Sequence, residues 1–107
     1  MPAVRYPVGE YNVYIYQLIG RANSLEDARR ICDLFEHSLN RIQSPGYARG
    51  FCAVNQEDKT SILIQEEWYN LNSFRFWQES EDYRRLRESM EPMIEGVWEP
   101  ETYIGQS

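Results

Sequence analysis

The residues best suited to chemistry in this sequence are aromatic, and most of them lie in its second half. Trp68 ends an apolar run, and Phe74, Trp77 and Tyr83 follow it at helical spacing, while Tyr14 lies in an early apolar segment. An indole N–H can donate to a ligand oxygen, and aromatic rings can form the walls of a site for a planar molecule. The pattern favours a small aromatic ligand; the alternative is that these rings only fill the core.

Other kinds of site are disfavoured by the sequence. It has no glycine-rich phosphate loop and no pair of Cys or His residues at metal-ligand spacing, so we expect neither a metal nor an organic cofactor. The single histidine, His37, lies two residues from Phe35 on a predicted helix and should face solvent. Catalysis by a Ser/His/Asp or Cys/His arrangement is therefore not expected.

Length and charge narrow the class of protein. A chain of 107 residues has room for one domain, predicted over residues 11–107 after an N-terminal arm at residues 1–10. The net charge of −6 argues against nucleic acid as a partner, and no apolar run is long enough to cross a membrane. Cys32 and Cys52 fall in apolar patterns and are interpreted as reduced core thiols of a cytoplasmic protein, with a disulfide between them as the alternative.

The hydrophobic periodicity predicts the order β-α-β-β-α-β, which is a ferredoxin-like α+β arrangement with one four-stranded antiparallel sheet. Ser24 is a candidate N-cap for the first helix, which ends at Ser44-Pro45-Gly46, and Ser80 caps the latter part of a second helix that is split in two. Pro100 restricts the last strand to an edge or a bulge. The predicted strands are 11–19, 47–55, 60–68 and 97–104, and the split helix begins at 71–79.

Both faces of the predicted sheet are rich in apolar residues. In the first strand Val13 and Ile15 alternate with Tyr14 and Tyr16, and in the second strand the same alternation groups Tyr47 with Phe51 and Ala53. Helices can cover only one face, so the other would be an exposed apolar patch in a monomer. We therefore expect a homodimer through the sheet face, with a monomer that tolerates exposed tyrosines as the alternative.

Over residues 11–104 the sequence resembles the antibiotic biosynthesis monooxygenase family of dimeric α+β barrels. In that family a strand ending in a Glu-x-Trp pattern precedes a helix with an aromatic residue, then a Ser-capped helix that carries another aromatic residue. The residues that carry the resemblance are Gln65-Glu66-Glu67-Trp68, Phe74, Trp77, Ser80, Tyr83, Leu86 and Pro45-Gly46.

The resemblance implies a homodimer that oxidises a phenol- or quinol-type molecule with O₂, without metal or flavin. It also implies two further site residues beside Trp68. Arg87 lies close to an arginine of the phenol-oxidising branch and could stabilise a phenolate, although it could instead pair with Glu91 or Asp82. Asn12 lies where the haem-degrading branch has a functional asparagine, although it could be a solvated strand end.

Departures from the family pattern limit the prediction. Arg87 occupies the position of the iron-binding histidine, so haem degradation is disfavoured. Ile64 and Phe74 replace two polar residues of the phenol-oxidising branch. A buried Glu66 with a raised pKa would be a possible base. The main alternative function is a non-catalytic ligand-binding or assembly module of the same fold, and a third is an isomerase or lyase, for which no base is evident.

Overall fold

The computed structural model describes residues 12–106, and it forms one antiparallel sheet in the order β2-β3-β1-β4 with helices on one face. The predicted ferredoxin-like α+β fold is confirmed. The arm predicted at residues 1–10 and the start of the first strand at Tyr11 lie outside the described residues. The elements are β1 (Asn12–Ala22), α1 (Leu25–Leu39), β2 (Tyr47–Val54), β3 (Ser61–Trp68), α2 (Leu71–Gln78), α3 (Glu81–Met90) and β4 (Ile94–Gln106), with a 3₁₀ turn, Glu91–Met93, before β4.

Helix α1 begins as predicted and ends earlier than predicted. The Ser24 hydroxyl accepts a hydrogen bond from the backbone N–H of Asp27 at 3.1 Å, which satisfies one free donor of the first turn. Past Leu39 the backbone N–H groups donate hydrogen bonds to carbonyls three residues back instead of four. The Ile42 N–H, for example, donates to the Leu39 carbonyl at 3.1 Å. This tighter turn ends the helix, so Ile42 lies in the following loop.

The expected alternation of β2 is wrong at its start. Tyr47 pairs with Trp68 and Arg49 pairs with Glu67, so two residues of β2 advance against one of β3. A bulge at Ala48 therefore moves Tyr47 to the helix-facing side, where its ring contacts the Trp68 ring at 5.2 Å between centroids. Phe51 and Ala53 remain on the opposite side, which we call the outer face.

Strand β4 is an edge strand, one of the two arrangements that Pro100 predicted, and its 13 residues extend beyond the predicted range of 97–104 at both ends. Its pairing with β1 shifts between Ile19 and Arg21. Gly96 takes up this shift with a φ of 82°, a conformation that other residues rarely adopt.

The expectation of two reduced thiols is contradicted by the structure. Cys32 of α1 and Cys52 of β2 form a disulfide, with their Cα atoms 5.3 Å apart. The periodicity placed each cysteine on the correct side of its own element. It could not show that the two side chains meet when α1 packs on β2. The expectation of a cytoplasmic protein rested partly on reduced thiols, and it loses that support.

Candidate functional site

The helix-facing side of the sheet carries the polar groups of the candidate site. Tyr16 of β1 and Glu66 of β3 are directly paired across the ladder, and Trp68 follows Glu66 on the same face. All three side chains are buried under the helices. Strict alternation of buried and half-buried residues along β3 fixes this arrangement, because side chains two apart share a face.

Glu66 is a buried carboxyl group, only 1% exposed, within an otherwise apolar layer. It accepts a hydrogen bond from the Trp68 indole Nε1 at 3.1 Å. Burial raises its pKa to about 7, and the indole N–H groups of Trp68 and Trp77 and the charge of Arg87 limit that rise. The Trp77 N–H lies outside hydrogen-bonding geometry with any described acceptor. Glu66 can therefore hold or release a proton near neutral pH.

Arg87 and Tyr83 form the cationic side of the same region. Arg87 Nη1 donates to the Tyr83 hydroxyl at 3.3 Å, and Nη2 donates to Glu91 at 3.2 Å. Its Nε has no hydrogen-bond partner among the described residues. Burial raises the pKa of Tyr83 well above its ordinary value, so this phenol stays protonated. The ion pair with Glu91 was one of the expected alternatives, while Asp82 pairs with Arg41 instead.

The candidate aromatic rings pack against one another. The Phe74 ring lies 5.2 Å from Tyr16 and 5.9 Å from Trp68 between centroids, and the Trp77 ring lies 5.7 Å from Tyr83. These distances are those of tilted or edge-to-face contacts. Three separate cavities are lined by Phe74, Trp68 and Arg87, and none of the three is lined by more than one of these residues.

A separate apolar cavity opens beside this layer, between α2 and strands β1 and β4. It has a volume of about 290 Å³, close to the lower end of small-molecule sites at about 300 Å³. We call it the Phe74 cavity. Its lining residues are Tyr14, Ile15, Tyr16, Leu71, Phe74, Thr102, Tyr103 and Ile104.

The structure brings some of the predicted site residues to this cavity and places others elsewhere. Tyr14 and Phe74 line it. Trp68 and Trp77 line a different cavity of about 370 Å³ beside α2, and Arg87 lines a third of about 290 Å³ with Trp98. The backbone of Asn12 lies in β1, but its side chain is outside the described part of the chain.

Sequence reasoning missed Tyr16 and gave Glu66 little weight. Tyr16 lines the Phe74 cavity and is also the cross-strand neighbour of Glu66, so it is the residue that joins the cavity to the polar group. The sequence did contain a signal for Tyr16, because alternation along β1 places Tyr16 on the same face of the sheet as Tyr14. Alternation along β3 groups Glu66 with Ile64 and Trp68 and puts Glu67 on the opposite, outer face, but it does not show which face the helices bury.

Comparison with solved structures identifies the fold. A protein from Nitrosomonas europaea, named as a candidate antibiotic biosynthesis monooxygenase, superposes with a TM-score of 0.78 over 95% of both chains at 13% identity. The chain has the fold of the antibiotic biosynthesis monooxygenases. A second such candidate from Chloroflexus aurantiacus matches this monooxygenase fold with a TM-score of 0.72 at 16% identity, covering 87% of this chain and 92% of its own.

The same fold occurs in a conserved protein from Methanosarcina mazei, with a TM-score of 0.74 at 12% identity over 87% of this chain and 91% of that one. No protein-family profile and no curated protein sequence matches the chain. The resemblance drawn from the sequence is thus supported at the level of the monooxygenase fold.

None of the helices in residues 12–106 combines the length and the apolar character needed to cross a membrane. Across the same residues, no three His, Cys, Asp or Glu side chains come together in a way that could hold a metal ion.

Proposed function

We propose that this protein is a monooxygenase that oxidises a phenol- or quinol-type aromatic molecule with O₂, without a metal or organic cofactor. The observation that carries the proposal is the position of Tyr16, which lines the Phe74 cavity and lies next to the buried carboxyl group of Glu66. An apolar cavity with one polar edge suits a planar ring system that bears a hydroxyl group. The fold shared with candidate antibiotic biosynthesis monooxygenases supports the same reaction class.

The proposed reaction takes its electrons from the substrate. For a ring methylene activated by a neighbouring phenol, loss of a proton gives an electron-rich anion that O₂ oxidises. One oxygen atom of O₂ enters the product as a ketone, and the other leaves as water with the two methylene hydrogens. This balance needs no external reductant.

The protein would contribute a dry site and a favourable field for the anion. Phe74 and Tyr14 would hold the rings, and Tyr16 would contact the substrate oxygen. Arg87 lies near enough to Tyr16 to interact with it electrostatically, and its guanidinium would stabilise negative charge on the substrate oxygen. Glu66, with a pKa of about 7, would take up the proton behind Tyr16 rather than touch the substrate.

The test is O₂ consumption with a panel of hydroquinones and anthrones, combined with ¹⁸O₂ labelling of the product. The proposal expects turnover above the uncatalysed rate and one labelled oxygen per product. Tyr16→Phe and Trp68→Phe should lower kcat, while Glu36→Gln, an exposed change on α1, should not. Absence of turnover across the panel, or an unchanged kcat in folded Tyr16→Phe and Trp68→Phe, would overturn it.

The second candidate function is a ligand-binding or assembly module without catalysis. The observation that favours it is the hydrogen bond from Trp68 to Glu66, because it uses the indole N–H inside the core instead of directing it at a ligand. This function expects the same aromatic molecules to bind, with quenching of tryptophan fluorescence, but to be recovered unchanged in the presence of O₂.

We also propose that two copies pair through the outer face of the sheet. This face carries Phe51, Leu63 and Ile15, which are all half-buried in the single protomer. Beside them the Gln17 side chain donates a hydrogen bond to the Gln65 side chain at 2.7 Å. A two-fold axis would bury the apolar residues against their own copies.

The dimer is tested by native mass spectrometry. The wild-type chain should show twice the monomer mass, and Phe51→Arg should show the monomer mass. Val97→Arg, at a position that is 81% exposed near the β4 irregularity, should remain dimeric. A monomeric wild-type chain at micromolar concentration would contradict the proposal.

A further inference from the structure

The Cys32–Cys52 disulfide lies at the edge of the sheet opposite to the Phe74 cavity. Cys52 belongs to β2, at one end of the strand order, whereas the Phe74 cavity lies beside β4 at the other end. Both cysteines line a cavity of about 460 Å³, and both are half-buried rather than sealed in the core. We call it the disulfide cavity, and its lining residues are Leu25, Ala28, Arg29, Cys32, Cys52, Val54 and Lys59.

The charge of this cavity is opposite to that of the chain. Its lining contains two cations, Arg29 and Lys59, and no acid, although the whole chain has a net charge of −6. Both cations are exposed, and neither forms an ion pair with a described acid, whereas other arginines of the chain do. The remaining lining is apolar. The cavity therefore combines a half-buried disulfide with an apolar wall and two cations, unpaired among the described residues, that can attract anions.

We propose that the disulfide cavity is a thiol–disulfide exchange site for a low-molecular-weight thiol that carries a carboxylate. The thiolate sulfur of this molecule attacks one Sγ atom, a new S–S bond forms, and the Cys32–Cys52 bond breaks. The displaced cysteine leaves as a thiolate and the other is held as a mixed disulfide. A second thiol molecule of the same class then attacks the mixed disulfide. The two small thiols leave joined by an S–S bond, and both cysteines remain reduced.

Cys32 is the leaving group and Cys52 carries the mixed disulfide. Arg29 precedes Cys32 by three residues on α1, so both side chains lie on the same face of the helix. A guanidinium group there stabilises negative charge as it develops on the Cys32 sulfur, and a better-stabilised thiolate leaves faster. Opening of the bond also releases the covalent link between α1 and β2.

The first measurement counts thiols in the full-length protein. Alkylation of the denatured, aerobically purified chain, followed by mass spectrometry, should detect no modified cysteine before reduction and two after it. Native protein treated with reduced glutathione and quenched in acid should gain one glutathione, and peptide mapping should place it on Cys52. Two free thiols in the purified protein, or an adduct that forms only after unfolding, would overturn the proposal.

The second measurement tests the cationic lining with three thiols of different charge: 3-mercaptopropionate, 2-mercaptoethanol and cysteamine. Each rate is divided by the rate of the same thiol with a small soluble disulfide, which removes its intrinsic reactivity. The corrected rates should fall in the order anionic, neutral, cationic, with about a fivefold difference between the extremes at low salt.

Paired variants separate this site from a general charge effect. Arg29→Gln with Lys59→Gln should abolish the dependence on thiol charge. Arg30→Gln, an exposed change on the same helix outside the cavity, should preserve it. Corrected rates that do not depend on thiol charge in the wild-type protein would contradict a cationic binding site.

Discussion

Tyr16 and Glu66 face each other across the β1–β3 ladder on the helix-covered side of the sheet, and Tyr16 also lines the Phe74 cavity. Side chains paired in this way have Cβ atoms about 5 Å apart, so a change at one is felt by the other. The pair connects an apolar cavity with a buried proton-binding group.

Glu66→Gln should remove a decline in stability between pH 4.5 and pH 7. The folded-state pKa of Glu66 is raised from 4.5 to about 7, so the native state binds the proton more tightly than the unfolded state. Tighter proton binding by Glu66 adds roughly 3 kcal/mol to the free energy of unfolding. This contribution is fully present below pH 4.5 and is lost as the pH rises to about 7. Urea unfolding from pH 4 to pH 8 measures this slope.

The matched control for Glu66 is Glu67→Gln on the outer face. Arg49 lowers the pKa of Glu67 through a hydrogen bond, so its titration lies below the pH window of interest. The control should keep the wild-type slope between pH 5 and pH 7. An unchanged slope in Glu66→Gln would show that this carboxyl group is not proton-linked to folding.

Trp68→Phe should raise the pKa of Glu66 above its wild-type value. The substitution removes the indole N–H that donates to the carboxyl group at 3.1 Å, and the smaller ring leaves a void in a fully buried position. Stability should fall by about 1–3 kcal/mol. Carbon-13 NMR of the Glu66 carboxyl group gives the pKa, and urea unfolding gives the stability.

Trp98→Phe is the comparison for Trp68→Phe. Trp98 is also buried, but its indole N–H has no described hydrogen-bond partner. Trp98→Phe should therefore lower the free energy of unfolding less than Trp68→Phe does, and it should leave the pKa of Glu66 unaltered. Equal costs for the two variants would mean that ring volume, and not the hydrogen bond, decides the effect.

Gly20→Ala should destabilise the protein, whereas Gly105→Ala should be nearly neutral. A Cβ atom at Gly20 would lie 2.8 Å from a ring carbon of buried Trp98, but at Gly105 the nearest atom is an ordinary 3.7 Å away. The expected cost at Gly20 is about 1–3 kcal/mol. Thermal unfolding of the two variants provides the measurement, and equal melting temperatures would contradict close packing of Trp98 on β1.

Ser80→Ala should loosen the junction between α2 and α3. The Ser80 hydroxyl accepts from the Tyr83 N–H at 3.1 Å and donates to the Trp77 carbonyl at 2.6 Å, so it serves both helices. We expect a loss of about 1 kcal/mol or more and faster amide exchange at Tyr83. Ser89→Ala, an exposed change in α3, should alter neither quantity.

Much of the architecture could be predicted from local sequence. The order of elements followed from periodicity, and the caps at Ser24 and Ser80 followed from hydroxyl residues placed before apolar periodic segments. Such features depend on hydrogen bonds within a few residues, so the chain encodes them directly. Pro100 predicted an edge or a bulge for β4 in the same way, because it cannot donate to a neighbouring strand, and β4 is an edge strand.

Tertiary structure decided the features that depend on residues far apart in the chain. Glu66 and Glu67 are the same residue type in adjacent positions, and only the packing of helices on one face buries the first and raises its pKa. The Cys32–Cys52 bond required α1 to lie against β2, and the bulge at Ala48 required the register with β3. Periodicity assigns a side chain to a face, but the neighbours that set its chemistry come from the assembled fold.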